Sequence, residues 1–170
     1  GQNWIHVGLK KTGQIGRVLI HPNDHNIAYA AALGNPFKAN SERGLYQTKD
    51  GGKTWKNVLF LSETVGISDV EFLPGNPQIM FASAWRAERK PWTIISGGTA
   101  SEGGIYKSYD GGSSWERITV GLPKGLIGKI DLELCPADSK LVYALIEAPG
   151  AEGGLYKSND QGQSFVLISN

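Results

Sequence analysis

Residues 48–55 read TKDGGKTW, and the same pattern returns as SYDGGSSW at residues 108–115 and SNDQGQSF at residues 158–165. All copies share a Ser or Thr, an Asp two residues later, a Gly, a second Ser or Thr and an aromatic residue. The chain opens on GQNW at residues 1–4, which matches the last part of a fourth copy. Recurrence at intervals of 60 and 50 residues predicts a repeat architecture, and we expect the chain to begin partway through a structural unit.

The similarity between copies extends upstream of the motif. Each motif follows a segment of the form Gly-Leu/Ile-Tyr-Lys/Gln-Ser/Thr, and an apolar run precedes that segment. A further short apolar segment ends near Pro22, Pro74 and Pro136, where a residue without an N–H suits the end of a strand. Short apolar segments separated by polar turns predict four strands in each repeat.

Four antiparallel strands in roughly 50 residues are typical of one blade of a β-propeller. We therefore predict an all-β fold, a β-propeller fragment with four-stranded antiparallel blades at residues 13–61, 65–120 and 126–169. Residues 1–9 are predicted to form the outer strand of a preceding blade. Because an incomplete ring leaves apolar blade faces open, the expected partners are further blades of a larger parent chain or a second copy of this chain.

The repeated motif is predicted to be structural, as the hairpin between the third and fourth strands. An Asp in such a turn accepts hydrogen bonds from backbone N–H groups, a Gly permits positive φ, and an aromatic ring anchors the turn. The residues given this role are Asp50, Gly52, Trp55, Asp110, Gly112, Trp115, Asp160, Gly162 and Phe165. The alternating acidic spacing of a calcium-binding EF-hand loop does not occur, and no metal site is predicted.

Composition narrows the classes of partner. A formal net charge of +1 over 170 residues gives no electrostatic reason to expect nucleic acid as a partner. One cysteine excludes an internal disulfide. No apolar run approaches the roughly 18 residues of a membrane-spanning helix, and no cofactor-binding motif occurs, so we expect neither a membrane span nor a cofactor. Composition leaves the compartment open.

The repeated motif resembles the Asp-box, also called the bacterial neuraminidase repeat. Families with this motif include sialidases, xyloglucan-cleaving glycosidases built from two propellers, sortilin-like receptors and photosystem II assembly factors. The whole chain is most similar to large bacterial proteins described as sortilin-like or glycosyl-hydrolase-like repeat proteins. That likeness lies in residues 15–18, 32–36, 42–44 and 89–92. The resemblance implies a propeller fold and an exported, periplasmic or extracellular protein.

The face opposite the hairpins is predicted to carry function, because loops vary there on a rigid scaffold. It includes the connections at residues 34–43, 86–103 and 148–153, of which the second is the longest. Long connections in compact domains are often functional, and Arg and Trp are frequent at recognition hot spots. The residues predicted to bind a ligand here are Arg86, Arg89, Lys90 and Trp92. The alternative is a solvated loop in which Trp92 is a packing anchor.

The innermost strands supply a second candidate site, along the central channel. Alignment on the three prolines makes Arg17, Asp69 and Asp131 equivalent, and places Glu71 and Glu133 at one further equivalent position. Paired carboxylates there could act as acid and base or nucleophile in glycoside hydrolysis. The weak catalytic candidates are Asp69, Glu71, Asp131 and Glu133, and Arg17 is a further candidate for ligand binding. The alternative is ion pairing between blades, for instance of Arg17 with Asp69.

Two classes of function remain after these observations. The first is a sortilin-like binding or scaffold module that recognises a peptide or glycan on the face opposite the hairpins. The second is a fragment of a sialidase-like or xyloglucanase-like glycoside hydrolase whose catalytic site is incomplete in this chain. The first is preferred from the sequence, because no complete catalytic constellation is visible, while the name of the related bacterial proteins favours the second.

Overall fold

The computed structural model describes residues 1–99 and 102–170. Short segments of alternating or continuous apolar character form strands, as the sequence predicts. The strands are β1 (Gln14–Ile20), β2 (Ala28–Gly34), β3 (Gly44–Thr48), β4 (Lys56–Leu59), β5 (Val65–Leu73), β6 (Asn76–Arg89), β7 (Ile94–Ser96), β8 (Gly104–Ser108), β9 (Glu116–Ile118), β10 (Ile130–Leu134), β11 (Val142–Ile146), β12 (Gly154–Ser158) and β13 (Val166–Ser169). A 3₁₀ helix at Gly150–Glu152 precedes β12.

The strands form three antiparallel sheets, one for each repeat. Their orders are β1-β2-β3-β4, β5-β6-β8-β9 and β10-β11-β12-β13, and β7 is an additional strand paired with β6. The two central strands of every sheet have the same register, which makes residues equivalent between sheets. The equivalent cross-strand pairs are Ala28–Thr48, Met80–Ser108 and Val142–Ser158. The prediction of an all-β fold with four-stranded antiparallel blades is confirmed.

The hydrophobic core lies between neighbouring sheets, as expected where each sheet covers the apolar face of the next. Between the first and second sheets, Tyr29, Ala31 and Leu45 pack with Val70 and Met80. Between the second and third, a separate cluster joins side chains from both sheets. It includes Phe81, Ile105, Leu132, Leu134, Val142, Ala144 and Tyr156. The outer surfaces of the first and third sheets have no such cover among the described residues.

Each repeat hairpin (residues 48–55, 108–115 and 158–165) closes around its Asp in the predicted way. Asp110 accepts hydrogen bonds from Ser114 N at 2.8 Å, Ser114 Oγ at 2.6 Å and Ser108 Oγ at 2.8 Å. Asp50 and Asp160 make the same contacts. Because these donors stabilise the ionised carboxylate, with the Ser or Thr hydroxyl as the largest contribution, the pKa of each Asp is lowered to about 2.

The remaining structural residues of the hairpins occupy three kinds of position. Phe165 is buried, with 2% exposure, and Trp115 packs on the cluster between the first two sheets. Trp55 is half-buried and donates from Nε1 to Val7 O at 2.8 Å. The second glycine of each hairpin has positive φ, at 88°, 80° and 74° along the chain. These glycines are Gly52, Gly112 and Gly162.

Residues 1–9 differ from the prediction of an outer strand, because they form no strand in the structure. A strand of that kind needs the third strand of its own blade as hydrogen-bonding partner, and no strand among the described residues pairs with this segment. The segment nevertheless lies on the first repeat hairpin, where Val7 contacts Gly52.

The hairpins define one face of the molecule. Backbone N–H groups of Gly51, Gly111 and Gln161 donate at 2.9 to 3.0 Å to carbonyls in the turn between the first and second strands of their own sheets or at the start of the second strand. The acceptors are Asn26 O, Gln78 O and Lys140 O. The connections at residues 35–43, 90–99 and 147–153, together with residues 102–103, lie at the opposite end of the antiparallel strands. We call that end the loop face. Of the described residues, none forms a helix long and apolar enough to cross a membrane.

Candidate ligand-binding face

The most prominent feature of the loop face is a β-hairpin that extends the second sheet. Residues 86–103 were expected to be a loop, but β6 continues to Arg89 and pairs with β7 through Arg89 opposite Ile94. The backbone N–H of Lys90 donates to Thr93 O at 2.9 Å and closes the turn. The β-branched Ile94 and Ile95 favour a strand, which is the physical reason for the difference. Residues 100 and 101 of the expected loop lie outside the described residues.

The predicted binding residues lie along this hairpin but not at one point. Trp92, at the turn, is 96% exposed, so it packs on no other part of the chain that the structure describes. Lys90 Nζ forms an ion pair with Glu88, and this hydrogen bond lowers the pKa of the Glu88 carboxyl. Arg86 lies at the base of the hairpin, where its Nε is 3.3 Å from Glu102 Oε1.

Two open clefts flank the hairpin. One, of about 660 Å³, lies between β7 and the connection that leads to β10, and it combines charged groups with the apolar side chains of Ile94 and Leu126. Arg86, Glu102 and Lys124 supply its charges. The other, of about 520 Å³, surrounds the turn and is lined by Arg89 to Ile94, including Trp92. Clefts that combine apolar walls with a few polar groups are typical of small-molecule and oligomer binding sites.

A buried arginine ties the hairpin to the first sheet. Arg43, at 1% exposure, donates from Nη2 to Ala87 O at 2.9 Å and to Asn35 O at 3.1 Å. The backbone N–H of Arg89 donates to Pro36 O at 2.7 Å beside it. Burial lowers the pKa of Arg43, and the charge of Glu88 opposes that shift. The sequence analysis did not predict this anchoring role of Arg43. The one signal for it is a charged residue directly before the apolar strand β3, which is consistent with a buried cation.

A polar relay ties the same hairpin to the third sheet. Trp85 Nε1 donates to Ser96 Oγ at 2.9 Å, and Ser96 Oγ donates to Glu147 Oε2 at 2.5 Å. Glu147 Oε2 also accepts from Lys129 N at 2.9 Å. The base of the hairpin is therefore hydrogen-bonded to both neighbouring sheets, through Ala87 and Arg89 on one side and Ser96 on the other. No local pattern in the sequence marks Ser96 or Glu147.

The channel residues make the ion pairs that were the alternative to catalysis. Arg17 Nη2 forms a hydrogen-bonded ion pair with Glu71, and Arg17 Nε lies 3.9 Å from Asp69 Oδ1. The Asp69 carboxylate also accepts from Val70 N at 2.9 Å and from Leu132 N at 3.0 Å. Through its bond to Leu132, Asp69 links the second and third sheets. Arg17, the other residue predicted to bind a ligand, does not line the cleft beside β7.

The other two channel carboxylates are exposed. Asp131 pairs with Lys129 Nζ at 2.8 Å, and Glu133 makes no hydrogen bond or ion pair with the described residues. Burial raises the pKa of Glu71 above its ordinary value; Arg17 opposes the rise, while Asp69 and Glu133 add to it. The channel thus brings Asp69, Glu71 and Glu133 within electrostatic reach of each other. Glu71 therefore combines an ion pair to Arg17 with a pKa that burial raises.

Comparison with curated proteins finds sequence similarity to segments of xyloglucanases. A xyloglucanase of Paenibacillus sp is 28% identical over 126 residues, which cover 65% of this chain and 11% of that enzyme. Xyloglucanase Xgh74A of Acetivibrio thermocellus is 32% identical over 119 residues, which cover 65% of this chain and 13% of that enzyme. The chain therefore spans only 11–13% of the length of these relatives. No protein-family model matches it.

Solved structures share the fold. An ancestral GH74 enzyme matches 92% of this chain and 18% of its own length with a TM-score of 0.63 and 19% identity. The GH74 xyloglucanase of Xanthomonas campestris matches 91% of this chain and 21% of its own with 0.64 and 16%. YCF48 of Cyanidioschyzon merolae matches 94% of this chain and 41% of its own with 0.55 and 20%. With the three sheets, these matches identify the chain as a β-propeller fragment, which confirms the predicted fold class.

Proposed function

We propose that this chain is part of a carbohydrate-active, glycoside-hydrolase-like propeller, and that its loop face binds a polysaccharide of the xyloglucan type. The observation that carries the proposal is the 32% identity to a xyloglucanase over 119 residues. This reverses the order of the two functions expected from the sequence, where a sortilin-like module came first. We place the repeat hairpins in the Asp-box class as part of the same proposal.

The β6–β7 hairpin is the proposed binding platform. A sugar ring has an apolar C–H face and hydroxyl groups around its edge, so it suits an exposed aromatic ring next to polar groups. Trp92 offers that ring at 96% exposure. Arg86, Glu102 and Lys124 in the adjoining cleft offer donors and acceptors for the hydroxyls. The anchors through Arg43 and Ser96 keep this surface in place before the glycan arrives.

Hydrolysis is the part of the proposal that concerns the channel. Cleavage of a glycosidic bond needs two carboxyl groups with different protonation states. Glu71 and Glu133 are the candidates, because burial raises the pKa of Glu71 and Glu133 is unpaired among the described residues. The ion pair of Glu71 with Arg17 would have to open for Glu71 to act as an acid. Asp69 is less suited, since its carboxylate accepts hydrogen bonds from two backbone N–H groups, and Asp131 pairs with Lys129.

A binding module without catalysis is the second candidate. The ion pair of Arg17 with Glu71 and the backbone bonds of Asp69 favour it, because they give these channel residues a purely structural use. A peptide would then be the alternative ligand of the same hairpin. We also propose an exported protein, since a polymer too large to cross a membrane is met outside the cell.

The test of binding is calorimetric titration of the chain with xyloglucan oligosaccharides. We expect Trp92→Ala to weaken binding by roughly tenfold or more, as for an aromatic hot spot. Trp4→Ala is the matched control, because Trp4 is 90% exposed but lies far along the chain from the hairpin. Absence of glycan binding, or equal losses in both variants, would contradict the proposal.

Release of reducing sugar from xyloglucan tests the hydrolytic part separately. If the chain releases sugar, Glu71→Gln and Glu133→Gln should each lower the rate by at least about a hundredfold. Unchanged rates in both variants would exclude the channel carboxylates as catalysts. Binding without release of sugar would favour the module without catalysis.

A further inference from the structure

The residues that line the cleft beside β7 belong to the second sheet and to the connection between the second and third sheets. Gly98 N donates to Ile127 O at 3.4 Å, and Ile127 N donates to Gly98 O at 3.2 Å. These two hydrogen bonds join the end of the β6–β7 hairpin to the connection that leads to β10. They bring Arg86 of one segment and Lys124 of the other to the same cleft.

The backbone of Gly98 lies against the stem of Arg86. A Cβ added to Gly98 would be 2.8 Å from Arg86 Cδ and 2.7 Å from Glu102 Oε2. The absence of a side chain therefore leaves room for the arginine stem and the Glu102 carboxylate side by side, which is a common reason for a glycine at a close approach. Packing on Gly98 thus helps to orient Arg86 in the cleft.

The guanidinium of Arg86 has few partners in the protein. Its Nε is buried and makes no hydrogen bond with the described residues, because the contact with Glu102 Oε1 at 3.3 Å is an ion pair without hydrogen-bond geometry. Its two Nη atoms form no hydrogen bond within the described part of the chain either. A guanidinium presents five N–H donors in a planar fork that matches a carboxylate. Arg86 therefore retains donors for a ligand.

The charges that line the cleft do not balance. Arg86 and Lys124 are cations, and Glu102 is the one carboxylate among the described lining residues. Glu102 Oε2 already accepts from Thr99 N at 3.0 Å and from Thr99 Oγ1 at 3.1 Å. Lys124 is exposed and forms no ion pair with any described residue. The cleft therefore has a surplus positive charge that an anionic group of a ligand would neutralise.

Apolar side chains stand beside these cations. Ile94 and Leu126, at 51% and 42% exposure, line the same cleft. They suit the C–H face of a sugar ring, whereas a small inorganic anion would make no use of them. A neutral sugar would in turn leave the surplus charge without a partner. The combination fits a sugar that carries a carboxylate, which is a uronic acid.

We infer that the cleft beside β7 binds a uronic acid unit of the polysaccharide, with its carboxylate on Arg86 and Lys124. The inference rests on the proposed function, because it names the kind of sugar that the proposed binding face takes. The sugar carboxylate accepts charge-assisted hydrogen bonds from the Nη groups of Arg86 and is attracted by Lys124 Nζ. The carboxylate of Glu102 repels it, so Glu102 limits the affinity.

Calorimetric titration of the chain with a matched pair of ligands tests the inference. The pair is a xyloglucan oligosaccharide before and after oxidation of its primary alcohols to carboxylates, so the two forms differ chiefly in charge. We expect the oxidised form to bind at least about tenfold more tightly at low salt, and the difference to shrink as sodium chloride is added. Equal or weaker binding of the oxidised form would overturn the inference and leave the proposed function standing. Binding of neither form would contradict both.

Variants of the lining charges test the named contacts through the ratio of the two affinities. Arg86→Gln and Lys124→Ala should each lower the preference for the oxidised form by at least about fivefold. Lys124 is exposed, so its variant keeps the test valid if Arg86→Gln does not fold. Glu102→Gln should raise the preference, which a loss of structure would not do.

Lys53→Ala is the matched control for these variants. Lys53 is exposed on the repeat hairpin of residues 48–55, at the opposite face of the molecule, and its removal should leave the ratio of affinities unchanged. An equal fall of the ratio in Lys53→Ala would mean that the net charge of the chain, and not the cleft, attracts the oxidised form. That result, or an unchanged ratio in Lys124→Ala, would overturn the inference.

Discussion

The hairpin face of this molecule repeats one local structure three times, whereas the loop face has three connections that differ from each other. On the hairpin face, Asp50, Asp110 and Asp160 make the same contacts with residues at most four positions away. On the loop face, the three connections differ in length and form, and one of them is a two-stranded hairpin. Three identical local solutions indicate structural use. Among the described residues, the additional hairpin belongs to the second sheet alone and contacts both neighbouring sheets, which is why we propose it as the binding surface.

The first way to break this comparison is to remove the shape complementarity that the hairpin glycines provide. Gly162→Ala puts a Cβ 2.5 Å from Phe81 Cε1 at a φ of 74°. We expect the free energy of unfolding to fall by about 3 kcal/mol, from steric overlap and backbone strain together. Urea denaturation followed by fluorescence measures the change.

Gly75→Ala is the control for that substitution. Gly75 has a similar φ of 80°, but no atom lies within 4 Å of an added Cβ. Only the backbone term then applies, and we expect a loss of about 1 kcal/mol. If both variants lose the same stability, the contact between ring and glycine contributes nothing to it.

Acid titration sharpens the comparison, because the three hairpin carboxylates share a perturbed pKa. Each is about 2 in the folded chain, below the ordinary value of 3.8. A lowered folded pKa stabilises the fold at pH values above the unfolded pKa, and this stabilisation is lost as the pH falls through the folded value. The hairpins should therefore lose stability between about pH 4 and pH 2, and not between pH 7 and pH 5.

Thermal unfolding of the wild type and of Asp110→Asn across this range is the measurement. The amide cannot titrate, so the variant should be less stable at pH 7 and should lose less stability between pH 4 and pH 2. Parallel curves for the two proteins would mean that Asp110 does not contribute to acid unfolding, whatever the hydrogen bonds that it makes.

The range of the contacts explains what could be predicted from the sequence. The hairpins were predictable because Asp110 and its donors are neighbours in the chain. The anchors of the loop face were not, since Arg43 binds Ala87 and Ser96 binds Glu147, which are 44 and 51 residues apart. The ion pair between Arg17 and Asp69 was expected because the repeat itself aligned distant positions. The repeat thus allowed a contact between distant residues to be predicted only at positions that the three sheets share.

The smallest effect is expected at the residue that distinguishes the two faces most directly. Trp92 is 96% exposed on the loop face, so Trp92→Ala should change the free energy of unfolding by less than about 0.5 kcal/mol. Trp115→Ala is its counterpart on the hairpin face, where the ring packs on a core cluster and Nε1 donates to Gly112 O at 3.1 Å. That variant should lose about 2 kcal/mol. Denaturation of the two variants side by side separates the faces: a loss at Trp92 equal to that at Trp115 would make it a structural residue. An exposed tryptophan at the tip of a hairpin that adds nothing to stability would instead support the proposed binding surface.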